Sequence, residues 1–147
     1  MLFRSGIDLI KEQIRIAAGK KLSYRQQDVR IGGHAIECRI NAENPKEQFR
    51  PSPGLITDVY FPGGKGVRID TAVYNGYEVP AYYDSMLAKL IVHAKTRKEA
   101  ISKMRSALGE VIIEGVDTNV DYQYEIMNHP DYQAGNVDIE FISEKMC

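Results

Sequence analysis

Cysteine is scarce in this chain of 147 residues, with two in all. Neither belongs to a C-x-x-C pair, and the three histidines, His34, His93 and His129, are scattered. A disulfide framework and a zinc site built from this sequence are therefore excluded as organising principles. An excess of charge is also missing: Lys+Arg 19 stand against Asp+Glu 20, a formal charge of −1. That balance gives no electrostatic footprint for nucleic acid or for an acidic membrane. No apolar run approaches the ~18–20 residues of a membrane span, and the first residues carry no signal-peptide core. The expected setting is cytoplasmic.

What is present is ordinary globular material, 44% hydrophobic and 27% charged. That is enough apolar surface to offset chain entropy in one domain. The spacing of Ile7, Ile10, Ile14 and Ala17 predicts a first helix, with Ser5 and Asp8 as a capping box and Gly19 at its end. Residues 33–43 alternate as a strand: His34, Ile36, Cys38, Ile40 and Ala42 share one face, and Ala35, Glu37, Arg39, Asn41 and Glu43 the other. Cys38 reads as a small core residue. Residues 44–54 read as a loop. The alternating runs 55–61 and 67–73, joined by Pro62-Gly63-Gly64-Lys65-Gly66, predict a β-hairpin. Strands on both sides rule out a phosphate-binding loop, which needs a helix after it. A second loop, 74–84, leads into the nearly continuous apolar strand 86–94. Thr96 and Glu99 open a second helix that carries Ile101, Met104, Leu108, Val111 and Ile112 and stops at Gly115. Thr118 and Asp121 open a third, which Pro130 stops. The sum is an α+β fold: an antiparallel sheet and hairpin core with an N-terminal helix and C-terminal helices packed on it.

Two positions carry candidate chemistry. Arg39, among Glu37, Asn41 and Glu43, fits either an exposed strand face with cross-strand ion pairs or the polar wall of a pocket. An arginine keeps its charge at any working pH and can hold an oxyanion or a ureido oxygen without proton transfer. Asp84, in Tyr82-Tyr83-Asp84-Ser85-Met86, fits either a turn residue or a carboxylate that orients a nearby cation. Tyr82 and Tyr83 read as packing residues, His34 as a hydrogen-bonded core residue, and Lys89 receives no role.

Four segments together resemble the C-terminal region of biotin carboxylases. They are Gly33-His34-Ala35-Ile36-Glu37-Cys38-Arg39-Ile40-Asn41-Ala42-Glu43, Pro51-Ser52-Pro53-Gly54, Tyr82-Tyr83-Asp84-Ser85-Met86-Leu87-Ala88-Lys89-Leu90 and Gly115-Val116-Asp117-Thr118-Asn119. The helix from Gly6 matches as well, so the resemblance spans residues 6–147, and residues 1–5 read as a non-matching start. The resemblance implies an ATP-dependent ligase that carboxylates carrier-bound biotin with bicarbonate, the first step of acetyl-CoA carboxylation in fatty acid synthesis. It implies Arg39 as the catalytic residue that contacts the biotin ureido oxygen, with Asp84 beside it. It implies ATP, Mg2+ and biotin as cofactors of a full-length parent and none bound by this piece alone, because the family's ATP-grasp residues have no counterpart here. The piece alone is then expected to be inactive. Implied partners are a biotin carboxyl carrier protein, a carboxyltransferase and a second copy of the parent, with residues 61–68 as a candidate dimer contact, although Lys65 stands where some relatives carry an aromatic residue. The competing expectation is a stand-alone α+β interaction or dimerisation module without catalysis.

Overall fold

The computed structural model describes residues 5–146; the rest of the non-matching start, residues 1–4, and Cys147 lie outside them. The fold is α+β, as the patterning predicts. Its centre is β8 (Met86–Ala94), flanked antiparallel by β1 (His34–Asn41) and β6 (Val67–Thr71) in the order β1-β8-β6. β8 reads as a nearly continuous apolar run because it is the central strand, flanked at both edges; Leu87, Ala88, Leu90, Ile91 and Val92 are all buried. Period-two alternation survives at its flank, where Ile36, Cys38 and Ile40 of β1 turn inward.

One face of this sheet receives α2 (Arg97–Glu110). Its buried stripe of Ala100, Ile101, Met104, Ala107 and Leu108 meets Cys38, Leu90 and Val92 in the main core. The Thr96 hydroxyl accepts the Glu99 N–H at 3.2 Å, and the Glu99 carboxylate reaches back to the Lys95 N–H at 3.1 Å. Two donors that the helix cannot satisfy internally are thus paired. α3 (Val120–Asn128) adds Ile126 and Met127 to the same core. Three two-stranded ladders complete the sheet structure: β2 (Glu43–Asn44) with β3 (Arg50–Pro51), β4 (Gly54–Leu55) with β7 (Glu78–Val79), and β5 (Asp58–Tyr60) with β9 (Ile112–Glu114). A smaller core of Ala42, Ile56, Val79 and Leu87 lies beneath them.

Several elements differ from expectation, each for a physical reason. The runs around Pro62-Gly63-Gly64-Lys65-Gly66 do not form a hairpin. β5 pairs with β9 and β6 with β8, so the loop carries the chain from one sheet to another. Lys103 of α2 fixes it there, its Nζ donating to the carbonyls of Lys65 and His93 at 2.9 and 3.0 Å. The same rearrangement ends the second helix early. Val111 is already extended (φ −68°, ψ 127°), and the β-branched run Ile112-Ile113 serves as the partner of β5. Strand periodicity reveals that a strand exists and is silent about its partner.

The first helix, α1 (Leu9–Ala17), is capped by Asp8 alone, whose carboxylate accepts the Lys11 N–H at 3.0 Å; the Ser5 hydroxyl accepts from Ile7 instead. Of its expected stripe only Ile7, just before the helix, is buried, while Ile10 and Ile14 are 63% and 65% exposed. This helix is not packed on the sheet through that face. Thr118 does not start α3. Asn119 precedes that helix, and its amide is spent on β1 instead of on the helix end. Pro130 ends α3 but also opens α4 (Pro130–Ala134) as its first residue. The tail forms α5 (Phe141–Lys145), with Phe141 buried edge-on against His129, ring centroids 5.1 Å apart.

Gly115 (φ +97°) lies so close to the Leu55 carbonyl that a Cβ would sit 2.1 Å from its oxygen. Gly76 has a similar φ of +87° and open space around it. Gly115→Ala should therefore lower unfolding stability by at least about 2 kcal/mol. Gly76→Ala should lower it by about 1 kcal/mol, and urea denaturation of both variants checks the difference. Burial, helped by the neighbouring Glu37 charge, pushes the Cys38 thiol from 9.0 to about 12, and burial also raises the Tyr132 phenol. The folded state favours the neutral forms. The stabilisation is complete below the ordinary values and is lost as pH rises through the folded ones. Unfolding free energy should fall between pH 9 and about 12, and Cys38→Ala should flatten the decline in pH-dependent urea titrations.

Candidate functional site

Arg39 and Glu37 project from the face of β1 opposite the main core, because alternation sends Ile36, Cys38 and Ile40 the other way. On that outer face Arg39 lies opposite Lys89, which lies opposite Asp70 of β6. The neighbouring row is Glu37, Ile91 and Arg68. The ion pairs run along the strands, not across them as the exposed-face reading expects. Arg68 grips Asp70 with two bonds of 2.7 and 2.8 Å, and that hydrogen bonding holds the Asp70 carboxyl below the usual carboxylate range. Arg39 is bound more loosely. Its Nε stands 3.6 Å from Glu37 Oε1, and its side chain is 68% exposed. An arginine with five donors and one distant carboxylate keeps most of its hydrogen-bonding capacity for an incoming acceptor.

Asp84 is also exposed, and its Oδ1 accepts the Met86 N–H at 2.7 Å, a turn that starts β8. Met86 is the register partner of Asn41, two residues after Arg39. The fold thus places Asp84 and Arg39 toward the same end of the β1–β8 pair while giving them different bonding partners, the Met86 amide and Glu37. Tyr82 and Tyr83 are 84% and 76% exposed, so they are not packing residues of the core; their rings lie against each other at 5.2 Å. His34 is half-buried at the start of β1.

Of the residues that build this region, Asn41 and Glu43 stand out in the sequence beside Arg39, whereas Asn119, Ser52 and Ser85 do not, although the segments containing them do. Asn119 is 5% exposed and bonds β1 three times. Its Oδ1 accepts the Asn41 N–H at 2.9 Å, its Nδ2 donates to the Arg39 carbonyl at 3.1 Å, and its own N–H donates to the Asn41 carbonyl at 3.2 Å. The register of β1 against β8 shifts between Ile40 and Asn41, and this bracket supplies partners where the ladder is interrupted. Beyond it, Asn41 Nδ2 donates to Glu43 Oε1 at 3.2 Å, the same oxygen accepts the Ser85 hydroxyl, and the Ala42 N–H donates to the Ser85 carbonyl. The Ser52 N–H donates to the Ala42 carbonyl at 2.8 Å, and the Ser52 hydroxyl accepts the Asp117 N–H at 3.0 Å. All four segments are therefore tied to one another at the end of β1, with Arg39 and Asp84 on the margin of the knot. Composition and periodicity carry no trace of these bonds. The one available signal was the presence of short polar residues, Ser52, Ser85 and Asn119, inside otherwise separate segments.

Among the described residues no group of three or more His, Cys, Asp or Glu could hold a metal ion. No helix among them is long and apolar enough to cross a membrane.

The model of the biotin carboxylase C-terminal domain matches residues 37–144. The chain belongs to the biotin carboxylase C-terminal domain family. It is 54% identical over 142 residues to the biotin carboxylase of Allochromatium vinosum, covering 97% of this chain and 31% of that protein. It is 51% identical over 140 residues to a pyruvate carboxylase subunit from Methanothermobacter thermautotrophicus, covering 95% of this chain and 28% of that one. Among solved structures, the biotin carboxylase domain dimer of Hydrogenobacter thermophilus 2-oxoglutarate carboxylase, in complex with MgADP, ADP and bicarbonate, superposes with a TM-score of 0.95 at 46% identity. The match covers 97% of this chain and 32% of that one. The chain thus spans about a third of the length of these relatives.

Asn119→Ala should cost about 1–3 kcal/mol, because it strands the half-buried Asn41 N–H. It should also release that amide to hydrogen exchange. Asn119→Asp keeps the acceptor and should preserve protection at Asn41 while losing the bond to the Arg39 carbonyl. Amide exchange followed by NMR distinguishes the two variants.

Proposed function

We propose that this chain, as the domain 6–147, supplies the biotin-facing wall of a biotin carboxylase. Such an enzyme uses ATP and bicarbonate to carboxylate biotin held on a carrier protein. The observation that carries this reading is the state of Arg39: a permanent cation, mostly exposed, loosely paired with Glu37 at 3.6 Å, on a strand end whose carbonyl is pinned by the buried Asn119. A fixed cation with free donors suits a neutral carbonyl oxygen that gains negative charge as the adjacent nitrogen loses its proton.

The chemistry of Arg39 suits biotin, which when bound supplies a ureido nitrogen that accepts the carboxyl group. Arg39 holds the ureido oxygen and is the catalytic residue. Asp84, anchored through the Met86 amide, adds a carboxylate toward the same end of the β1–β8 pair. ATP and magnesium are assigned to a nucleotide-binding region beyond the matched domain, in line with the family's ATP-grasp architecture. Phosphoryl transfer depends on positioned metal ions and cations, so the chain by itself is expected to be inactive. The parent is read as a cytoplasmic homodimer that works with a carrier protein and a carboxyltransferase. We assign acetyl-CoA as the final acceptor, with fatty acid synthesis as the setting.

The test mixes the chain with the separately expressed nucleotide-binding portion of the Allochromatium vinosum enzyme and follows bicarbonate-dependent ATP cleavage with free biotin. Activity is expected in the mixture and in neither part alone. Arg39→Ala should lower biotin carboxylation by on the order of a hundredfold and leave the KM for ATP unchanged. An undiminished rate in that variant removes Arg39 from the mechanism.

A further inference from the structure

Arg105, on α2, lies away from the β1 end and takes no part in the proposed biotin wall. Its Nε is buried and meets no acceptor among the described residues. Other arginines of the chain have partners: Arg15 has Glu12, Arg39 has Glu37, Arg50 has Glu47, Arg68 has Asp70, and Arg97 donates to the Tyr132 carbonyl while lying 4.8 Å from the centroid of that ring. A buried guanidinium donor without an acceptor is costly, and most folds avoid it.

The two sides of Arg105 differ: Glu110 lines the concavity it shares with Ser102 and Tyr124, and the side toward Gln133 is basic. Lys98, Ser102 and Arg105 fall at i, i+4 and i+7, on one face of α2. Together with Ile101 and Gln133 they line a cavity of about 310 Å³ that no carboxylate lines. Gln133, of α4, is held as a wall: its Nε2 donates to the carbonyls of Met127 and Asn128 at 3.2 and 3.3 Å. Ile101 is 5% exposed and closes the floor. In a chain with as many acids as bases, a concavity holding two cations, a hydroxyl and no acid is a local departure from the average.

We propose that this cavity is a binding site for a phosphate-type oxyanion carried on a small molecule. A guanidinium, an ammonium and a hydroxyl on successive turns of one helix face line the same cavity and offer it several donors. That arrangement matches a tetrahedral ion, whereas a planar carboxylate is satisfied by the arginine fork alone. The volume lies at the lower end of small-molecule sites, roughly 300–1,000 Å³, which suits a phosphate with a small organic body over Ile101. The site is independent of Arg39 and of the biotin reading, and it faces a different part of the sheet assembly, the outer side of α2 near α4.

The test titrates inorganic phosphate into the 15N-labelled chain and follows the backbone amides of residues 98–105 and the Arg105 Nε–H by NMR, with acetate and chloride at equal ionic strength as parallel arms. Phosphate is expected to shift the Arg105 Nε–H and the Ser102 amide with a saturating curve. Acetate is expected to do so at least about tenfold more weakly, and chloride not at all. Arg105→Gln should weaken phosphate binding by at least about tenfold, and Lys98→Gln by a smaller factor. Equal responses to the three anions, no saturable response, or binding that persists undiminished in folded Arg105→Gln each overturn the proposal. Unchanged dispersion of the remaining amides establishes that the variant is folded, and Arg105→Lys, which keeps the charge, serves as the second variant if the first unfolds.

Discussion

The antiparallel pairing of β1 with β8 is the constraint on which the other parts of the molecule depend. Its register seats Cys38 beside Leu90 and Ile40 beside Ala88, on the side that α2 covers with Met104 and Leu108. The same register turns Arg39 and Glu37 to the opposite side, because successive side chains of a strand cannot share a face. A slip of one residue would bury Arg39 and expose Cys38. Core formation and presentation of the candidate cation are thus one event.

Where that ladder ends, hydrogen bonds replace it. The register shift after Ile40 leaves backbone groups that β8 does not reach in regular fashion, and Asn119 takes over with three bonds. Asn41, Glu43 and Ser85 extend the pairing toward Asp84, and Ser52 fastens the next loop to both Ala42 and Asp117. Because the bonds among Arg39, Asn41, Glu43, Ser85 and Asn119 are half-buried, each of those partners is costly to remove. This explains in physical terms why four segments far apart in the chain form a single signature. They are the four sides of one hydrogen-bonded knot, and the proposed biotin wall stands on it.

Much of this was legible in the residues. The alternation of β1, the apolar run of β8, the Thr96 cap and the stripe of α2 were all readable, because each depends on local periodicity and local capping. Partner assignment is what local pattern leaves open. The runs flanking Pro62-Gly63-Gly64-Lys65-Gly66 look like a hairpin because adjacent strands often pair, yet β5 takes β9 and β6 takes β8. Val111 and Ile112 satisfy helical spacing and strand propensity equally, and tertiary pairing with Asp58–Tyr60 decided the matter. The apolar spacing of α1 makes a stripe and not a core face, since periodicity marks amphipathicity and not the surface that covers it.

By itself the sequence determined the α+β class, the inward position of Cys38, the outward position of Arg39 and the family resemblance, because side-chain alternation and short motifs are properties of the chain alone. Only the tertiary structure decided that Arg39 is loosely held by Glu37, that Asp84 is spent partly on its own turn, that Asn119 is the bracket behind them, and that Arg105 sits in a cavity without an acid. Those facts depend on contacts between residues 78 and 80 positions apart, as in Asn41 with Asn119 and Arg39 with Asn119, and on the packing of one helix against another. No local pattern encodes such distances.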